Sequence, residues 1–232
     1  MKLEVLLDNF FIFNTTLGCS EGKEKEKILW YFPDAEKVDK KVRVIGFAEA
    51  VVKFTSSFKS ETCENYTVDT DNTLQVFLEP EETFVMGMTI NKEKCAQEKA
   101  CFHVAIYSKM LICAYKMFRL FFGTFKHHLS YVGFEAVNGI HIETDVVADL
   151  REKLCYFYSR YISSLVCSRV PLLDLYNGIN FMPLDQANYL KVQSIVSRLC
   201  EAFPGIRETV FLYNDKVLLY SIPRNDMCIL YR

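Results

Sequence analysis

The chain has 232 residues and a mass of 27.0 kDa, enough for one large domain or one and a half ordinary ones. Half of the residues are hydrophobic and 14% are aromatic, so a substantial core forms, and six Pro and nine Gly exclude a fibrous or disordered chain. With 27 Lys and Arg against 29 Asp and Glu, a net charge of -2 and a pI near 6.1, a dominant basic nucleic-acid footprint is excluded, and no nucleic-acid partner is expected.

Residues 3–13, LEVLLDNFFIF, are apolar and aromatic and predict a strand. The polar connector Asn14 to Lys27 follows, with Gly18, Gly22 and the charged run EGKEKEK. Residues 28–32, ILWYF, form a second strand stopped by Pro33, so the opening reads as a β-hairpin. From Val38 to Phe58 the period is helical. Val44, Phe47, Ala48, Val51, Phe54 and Phe58 are assigned to the buried side, and Gly46, Glu49, Lys53, Ser56 and Ser57 to the other. Glu49 and Lys53 form an i,i+4 pair in the favourable orientation. A helix with one small, polar face suits the docking of a second protein; an ordinary surface helix has the same pattern.

Residues 61–90 return to strand signals. ENYTVDT, the turn pair Asp71-Asn72, TLQVFLE, a solvated turn at Pro80-Glu81-Glu82 and TFVMGMTI predict an antiparallel meander. Residues 91–100 read as a polar loop or helix lead-in, 101–123 as a long helix, and 124–146 as a loop-like stretch. Val147 to Cys167 is helical, with the stripe Leu150, Leu154, Phe157, Tyr161 and Leu165. After Pro171 and the Asn177-Gly178 turn, Asp185 caps a last helix with the stripe Tyr189, Val192, Val196, Leu199 and Phe203, ended by Pro204-Gly205. ETVFLY, Asn214-Asp215 and KVLLYSI then form a hairpin. The order predicts an α/β (α+β) sandwich with a five-stranded, mostly antiparallel sheet and helices on its faces. The first domain is assigned to residues 1–203. Residues 207–232 read as the start of a second αβ unit, as expected of a fragment or short isoform, because a lone hairpin is marginal in water.

Residues 101–122 have the length of a bilayer span, but Lys109 lies near the centre, with Lys116 and Arg119 following. On a continuous helix Lys109, Lys116, Arg119 and Lys126 fall within about 100° of one another. This is a cationic stripe on a core helix, solvated or facing an acidic partner or anionic membrane.

The nine cysteines have no C-x-x-C spacing, and Cys113, Cys155, Cys167 and Cys200 lie in apolar helical patterns. They read as reduced structural thiols of a cytosolic protein. No P-loop, G-x-G-x-x-G, G-x-S-x-G or H-E-x-x-H motif occurs. His127-His128 is a poor metal clamp because neighbours in a helix or strand point apart. Cys95, Cys101 and His103 are the nearest approach to a zinc site. Neither a metal nor a cofactor is expected, and no catalytic residue is assigned. An interaction protein fits better than an enzyme, with a Cys or His nucleophile as the opposing reading.

Several segments carry a resemblance. FFIFNTTLGCSEGKEKEKILWYFP is similar to the opening of the Ccz-type subunit of the Mon–Ccz complex, VRVIGFAEAVVKFTSSF to its first helix, and NGINFMPLDQANYLKVQSIVSRL to the stretch before its second unit. FLYNDKVLLYS and DMCILYR resemble the opening of that unit. The resemblance covers nearly the whole chain and is weakest at 91–145. It implies three longin domains per subunit, of which this chain would hold the first and the beginning of the second, a departure from the family pattern. It also implies a subunit of a heterodimeric guanine-nucleotide exchange factor, paired with a Mon-type longin subunit and acting on the Rab GTPase of late endosomes and lysosomes. Such a subunit is cytoplasmic, peripheral on those membranes, and performs no covalent chemistry itself. On that reading the contact residues are Gly46, Glu49, Lys53 and Ser57, with Lys40, Lys41 and Arg43 at the start of the helix. A non-catalytic longin adaptor would share the fold.

Overall fold

The computed structural model describes residues 2–58, 65–98, 103–130, 142–165 and 178–231. Cys101, Cys167, Pro171 and Asn177, named above, lie outside the described residues. Contacts divide the chain into two compact units, Met1–Val170 and Pro171–Arg232.

The first unit opens with a single helical turn, α1 (Leu3–Leu6), where the sequence predicted continuous strand, followed by β1 (Leu7–Asn14). A 3-10 turn at Glu24–Lys27 leads into β2 (Ile28–Phe32), completing the predicted hairpin. Helix α2 spans Val38–Ser56. The meander is β3 (Asn65–Asp69), β4 (Thr73–Glu81) and β5 (Phe84–Asn91). Helices α3 (Lys92–Gln97), α4 (Val104–Phe122), α5 (Phe125–Ser130) and α6 (Ile142–Ser164) follow. Two of these, α3 and α5, occupy stretches read as polar or loop-like.

The five strands form one antiparallel sheet in the order β2-β1-β5-β4-β3. β1 and β5 are central and buried on both sides, which explains their near-continuous apolar sequences. Alternation sorts the side chains. Phe10, Ile12, Trp30, Val76, Met86 and Met88 face α4 and α6, whereas Phe11, Phe13, Tyr31, Phe77 and Val85 face α2. Gly87 sits on the α2 side, where an added Cβ would lie 2.4 Å from Phe11 Cζ and 3.0 Å from Phe77 Cδ1. The rings occupy the space a side chain would need.

On the other face, Leu150, Leu154 and Tyr161 of α6 are buried as predicted. Tyr158, which the predicted stripe omits, is the centre of that core. Its ring stacks on Phe118 at 5.7 Å and lies 5.5 Å from Trp30 and 4.9 Å from Phe157. Helix α4 ends at Gly123, whose φ of 87° favours a residue without Cβ.

The turn after β4 also departs from expectation. Pro80 and Glu81 lie within the strand, and the Glu81 carboxylate is not merely solvated. It accepts hydrogen bonds from Tyr115 Oη at 2.8 Å and from the backbone N–H of Phe125 at 2.6 Å and Lys126 at 2.7 Å. It thus fixes the start of α5 against β4 and α4.

The second unit holds α7 (Gln186–Ala202), the antiparallel hairpin β6 (Val210–Tyr213) and β7 (Lys216–Tyr220), and α8 (Arg224–Leu230). The contact division thus falls at 170/171, whereas the sequence reading takes the first domain to 203. Helix α7 packs with β7, and Phe181 forms a parallel bridge to Val217, so this segment belongs with the hairpin. The predicted α7 stripe is not a buried face: Tyr189, Leu199 and Phe203 are exposed. Among the described residues of this unit only Val217 and Met227 are buried apolar side chains.

Candidate functional site

Helix α2 covers a sheet face paved with large rings, so only small or slender side chains fit between helix and sheet. Ile45, Ala48 and Val52 take those positions, with Val44 and Val51 half-buried beside them. The predicted burial of Phe47, Phe54 and Phe58 is corrected: they are 46%, 68% and 74% exposed. Arg43, Phe47, Ala50, Phe54 and Phe58 recur at spacings of three and four and make one outward stripe. The Phe54 and Phe58 rings contact each other with centroids 5.2 Å apart. Gly46, Lys53 and Ser57 are exposed alongside. The outward face is thus aromatic with small and cationic residues around it, not the small, polar face expected.

Four predicted contact residues, Glu49, Lys53, Lys41 and Lys40, form ion pairs within the chain. Glu49 accepts from Lys27 Nζ at 2.8 Å and from Lys53 Nζ at 2.6 Å, and its side chain is 12% exposed. Burial pushes its carboxyl pKa up, but hydrogen bonds and charge from the two lysines outweigh this and hold it below 4.5. Lys41 donates to Asp34 O at 2.7 Å and Asp34 Oδ1 at 3.2 Å, and its Nζ lies 5.3 Å from the centroid of the Tyr31 ring. Burial, with the Glu36 charge adding to it, pushes the Tyr31 phenol up to about 12. Lys40 pairs with Glu36 at 2.6 Å. Arg43, Gly46, Lys53 and Ser57 remain outward.

The second set divides as well. Lys109, Lys116 and Arg119 lie along α4, with Lys116 and Arg119 exposed and Lys109 half-buried. Lys126 does not continue that stripe, because Gly123 ends the helix; it lies on α5, 3.6 Å from Glu82.

The groups considered for chemistry are held structurally. Cys95 is buried 3.6 Å from Tyr107 Oη, and burial pushes its thiol up despite that hydrogen bond, which opposes thiolate formation. His103 caps α4, its Nδ1 accepting from Ala105 N at 3.3 Å. His128 Nε2 lies 2.8 Å from Phe122 O. The six described cysteines are free thiols, and Cys155, assigned to a buried pattern, is exposed. Among the described residues no three His, Cys, Asp or Glu gather closely enough to hold a metal ion, and no helix is long and apolar enough to cross a membrane.

Residues 7–123, from β1 to the glycine that ends α4, match the family described as the first longin domain of INTU, CCZ1 and HPS4. The chain is 38% identical over 244 residues to the vacuolar fusion protein CCZ1 homolog of Nematostella vectensis, covering 100% of this chain and 50% of that protein. It is 35% identical over 234 residues to the homolog of Xenopus tropicalis, covering 97% and 47%. The homolog of Dictyostelium discoideum is 25% identical over 244 residues, covering 99% and 51%. The chain spans about half the length of the curated relatives it matches. The sheet order, the helix on each face and these matches agree: the chain belongs to the CCZ1 longin family and carries its first longin domain.

Proposed function

We propose that this chain is part of one subunit of a heterodimeric guanine-nucleotide exchange factor for the Rab GTPase of late endosomes and lysosomes. Its partner is a Mon-type longin subunit, and its role is vesicle-mediated and endosome–lysosome transport, including autophagy. The name of the relatives, vacuolar fusion protein, supports a place in membrane trafficking. The observation that carries the pairing is the outward face of α2, where Phe47, Phe54 and Phe58 expose aromatic area beside Gly46 and Ala50. Aromatic residues concentrate in interface cores, and small residues let a second backbone approach.

Exchange on this reading needs no covalent step and no cofactor. A GTPase holds nucleotide through its P-loop and Mg²⁺. A partner that prefers the nucleotide-free form must, by linkage, weaken nucleotide affinity by the same factor. It acts by moving switch segments that the γ-phosphate and Mg²⁺ order. The paired subunits sit peripherally on the organelle membrane, brought there by their binding partners.

The test is co-purification with a Mon-type subunit, followed by fluorescent GDP release from the late-endosomal Rab GTPase. A stable pair that accelerates release over the partner alone supports the proposal. A stable pair without release favours a longin adaptor, and absence of a pair overturns the reading.

A further inference from the structure

The outward face of α2 is symmetric about its own centre. That centre is Ala50, an exposed small residue on the stripe. At about 100° per residue, Phe47 and Phe54 stand about 60° and 40° to one side of Ala50. Lys53 and Gly46 stand about 60° and 40° to the other side. Arg43 and Ser57, equally far before and after Ala50 in sequence, lie within about 20° of it. All six are exposed. Each position before Ala50 therefore has a counterpart after it, and the counterparts differ in size or charge: a cation against a hydroxyl, a glycine against a lysine.

We infer that this face is an isologous contact for a second copy of the chain, the two α2 helices lying antiparallel with Ala50 on the two-fold axis. Ala50 meets Ala50 of the other copy, and with no long side chain between them the backbones approach closely. Positions equally far from Ala50 on opposite sides come to one level. Phe47 of each copy thus falls within about 1.5 Å in height of Phe54 of the other, on the same flank, giving two aromatic pairs. Arg43 reaches the level of Ser57 of the other copy, at the end of that helix, where the last carbonyls favour a cation. Gly46 leaves room for the apolar stem of Lys53 of the other copy, whose charge Glu49 of its own chain answers at 2.6 Å. A parallel pair would instead set Arg43 against Arg43. The inference rests on the reading of α2 as an association face. A second copy and the Mon-type subunit exclude each other there, so the self-pair covers the rings until the partner displaces one copy.

The experiment is sedimentation velocity of the full 232-residue chain in reducing buffer over a concentration series, with the variants Ala50→Glu and Ala50→Lys. A residue on a two-fold axis meets itself, so each variant opposes like charges and should weaken the dimer about 100-fold. An equimolar mixture of A50E and A50K should restore it. Ala50 is an exposed helix position, and circular dichroism checks that each chain keeps its fold. Register is read from A50C and S57C under mild oxidation, with peptide mapping. Wild-type α2 contains no cysteine, so a disulfide between two α2 peptides is diagnostic. A50C should cross-link and S57C should not, because antiparallel helices hold the two copies of position 57 about 21 Å apart. A monomeric wild type, a dimer indifferent to charge at position 50, no rescue by the mixture, or cross-linking through S57C overturns the inference. A dimer formed through the exposed hairpin of β6 and β7 would give the second of these results. The two readings fail separately. A monomeric chain that still binds the Mon-type subunit overturns the self-pairing alone, whereas an A50C-linked dimer from a chain that binds no Mon-type subunit upholds the self-pairing and overturns the exchange-factor reading.

Discussion

Lys27 Nζ donates to Glu49 Oε2 at 2.8 Å, tying the turn before β2 to the middle of α2. Both side chains are largely buried, at 17% and 12% exposure, whereas Lys53, the second partner of Glu49, is 68% exposed. Glu49→Gln should therefore lower stability by about 1–2 kcal/mol in urea unfolding at neutral pH. Lys27→Met should cost more than Lys53→Met, since an exposed pair contributes little. Because the folded pKa of Glu49 is depressed, its contribution is full above about 4.5 and is lost as pH falls through the folded value. The gap between wild type and Glu49→Gln should narrow along the acid arm; a gap that stays constant there would show that the pair is not the cause.

Glu81 ties three groups with one carboxylate: the Tyr115 hydroxyl and the backbone N–H groups of Phe125 and Lys126. Glu81→Ala leaves the first turn of α5 uncapped and should cost about 2–3 kcal/mol. Tyr115→Phe removes one of the three and should cost about 1 kcal/mol. Thermal melts of both variants check the order; an equal or reversed ranking would refute the capping role.

Gly87 has Phe11 and Phe77 rings where a side chain would stand. Gly87→Ala adds one methyl group to the packed centre of β5 and should destabilise by about 1–3 kcal/mol. Adding Phe11→Leu to Gly87→Ala should recover part of that loss if the steric account is right, and this double-mutant comparison is the check.

The exposed aromatic rings of α2 separate stability from association. Phe47→Ser together with Phe54→Ser should change stability by no more than about 1 kcal/mol, since both rings face solvent. The same pair should abolish co-purification with a Mon-type subunit. Retention of the partner by this variant would move the docking surface away from α2.

Several elements were legible because their patterns are local. The opening hairpin, α2, the meander and α6 follow from apolar period, Pro33, the Asp71-Asn72 turn and a 3.6-residue stripe. The short α5 was not legible, since its start is fixed by Glu81, more than forty residues earlier in sequence. The place of α7 was not legible either. Its apolar stripe signals a helix with a face to cover, but only contacts with β7 assign it to the second unit.

The sharpest difference lies in α2. Its sequence by itself determines a helix of this length, because the period and the flanking Pro33 need no long-range partner. It also offers two sets of apolar side chains, Phe47, Phe54 and Phe58 on one side and Ile45, Ala48 and Val52 on another, and periodicity alone cannot rank them. Only the tertiary structure decided which set turns inward. The sheet beneath presents Phe11, Phe13, Tyr31 and Phe77, and helix and sheet can close over those rings only through the smaller residues. The bulky aromatics are thereby displaced to the surface, where they form the face on which the proposed pairing rests.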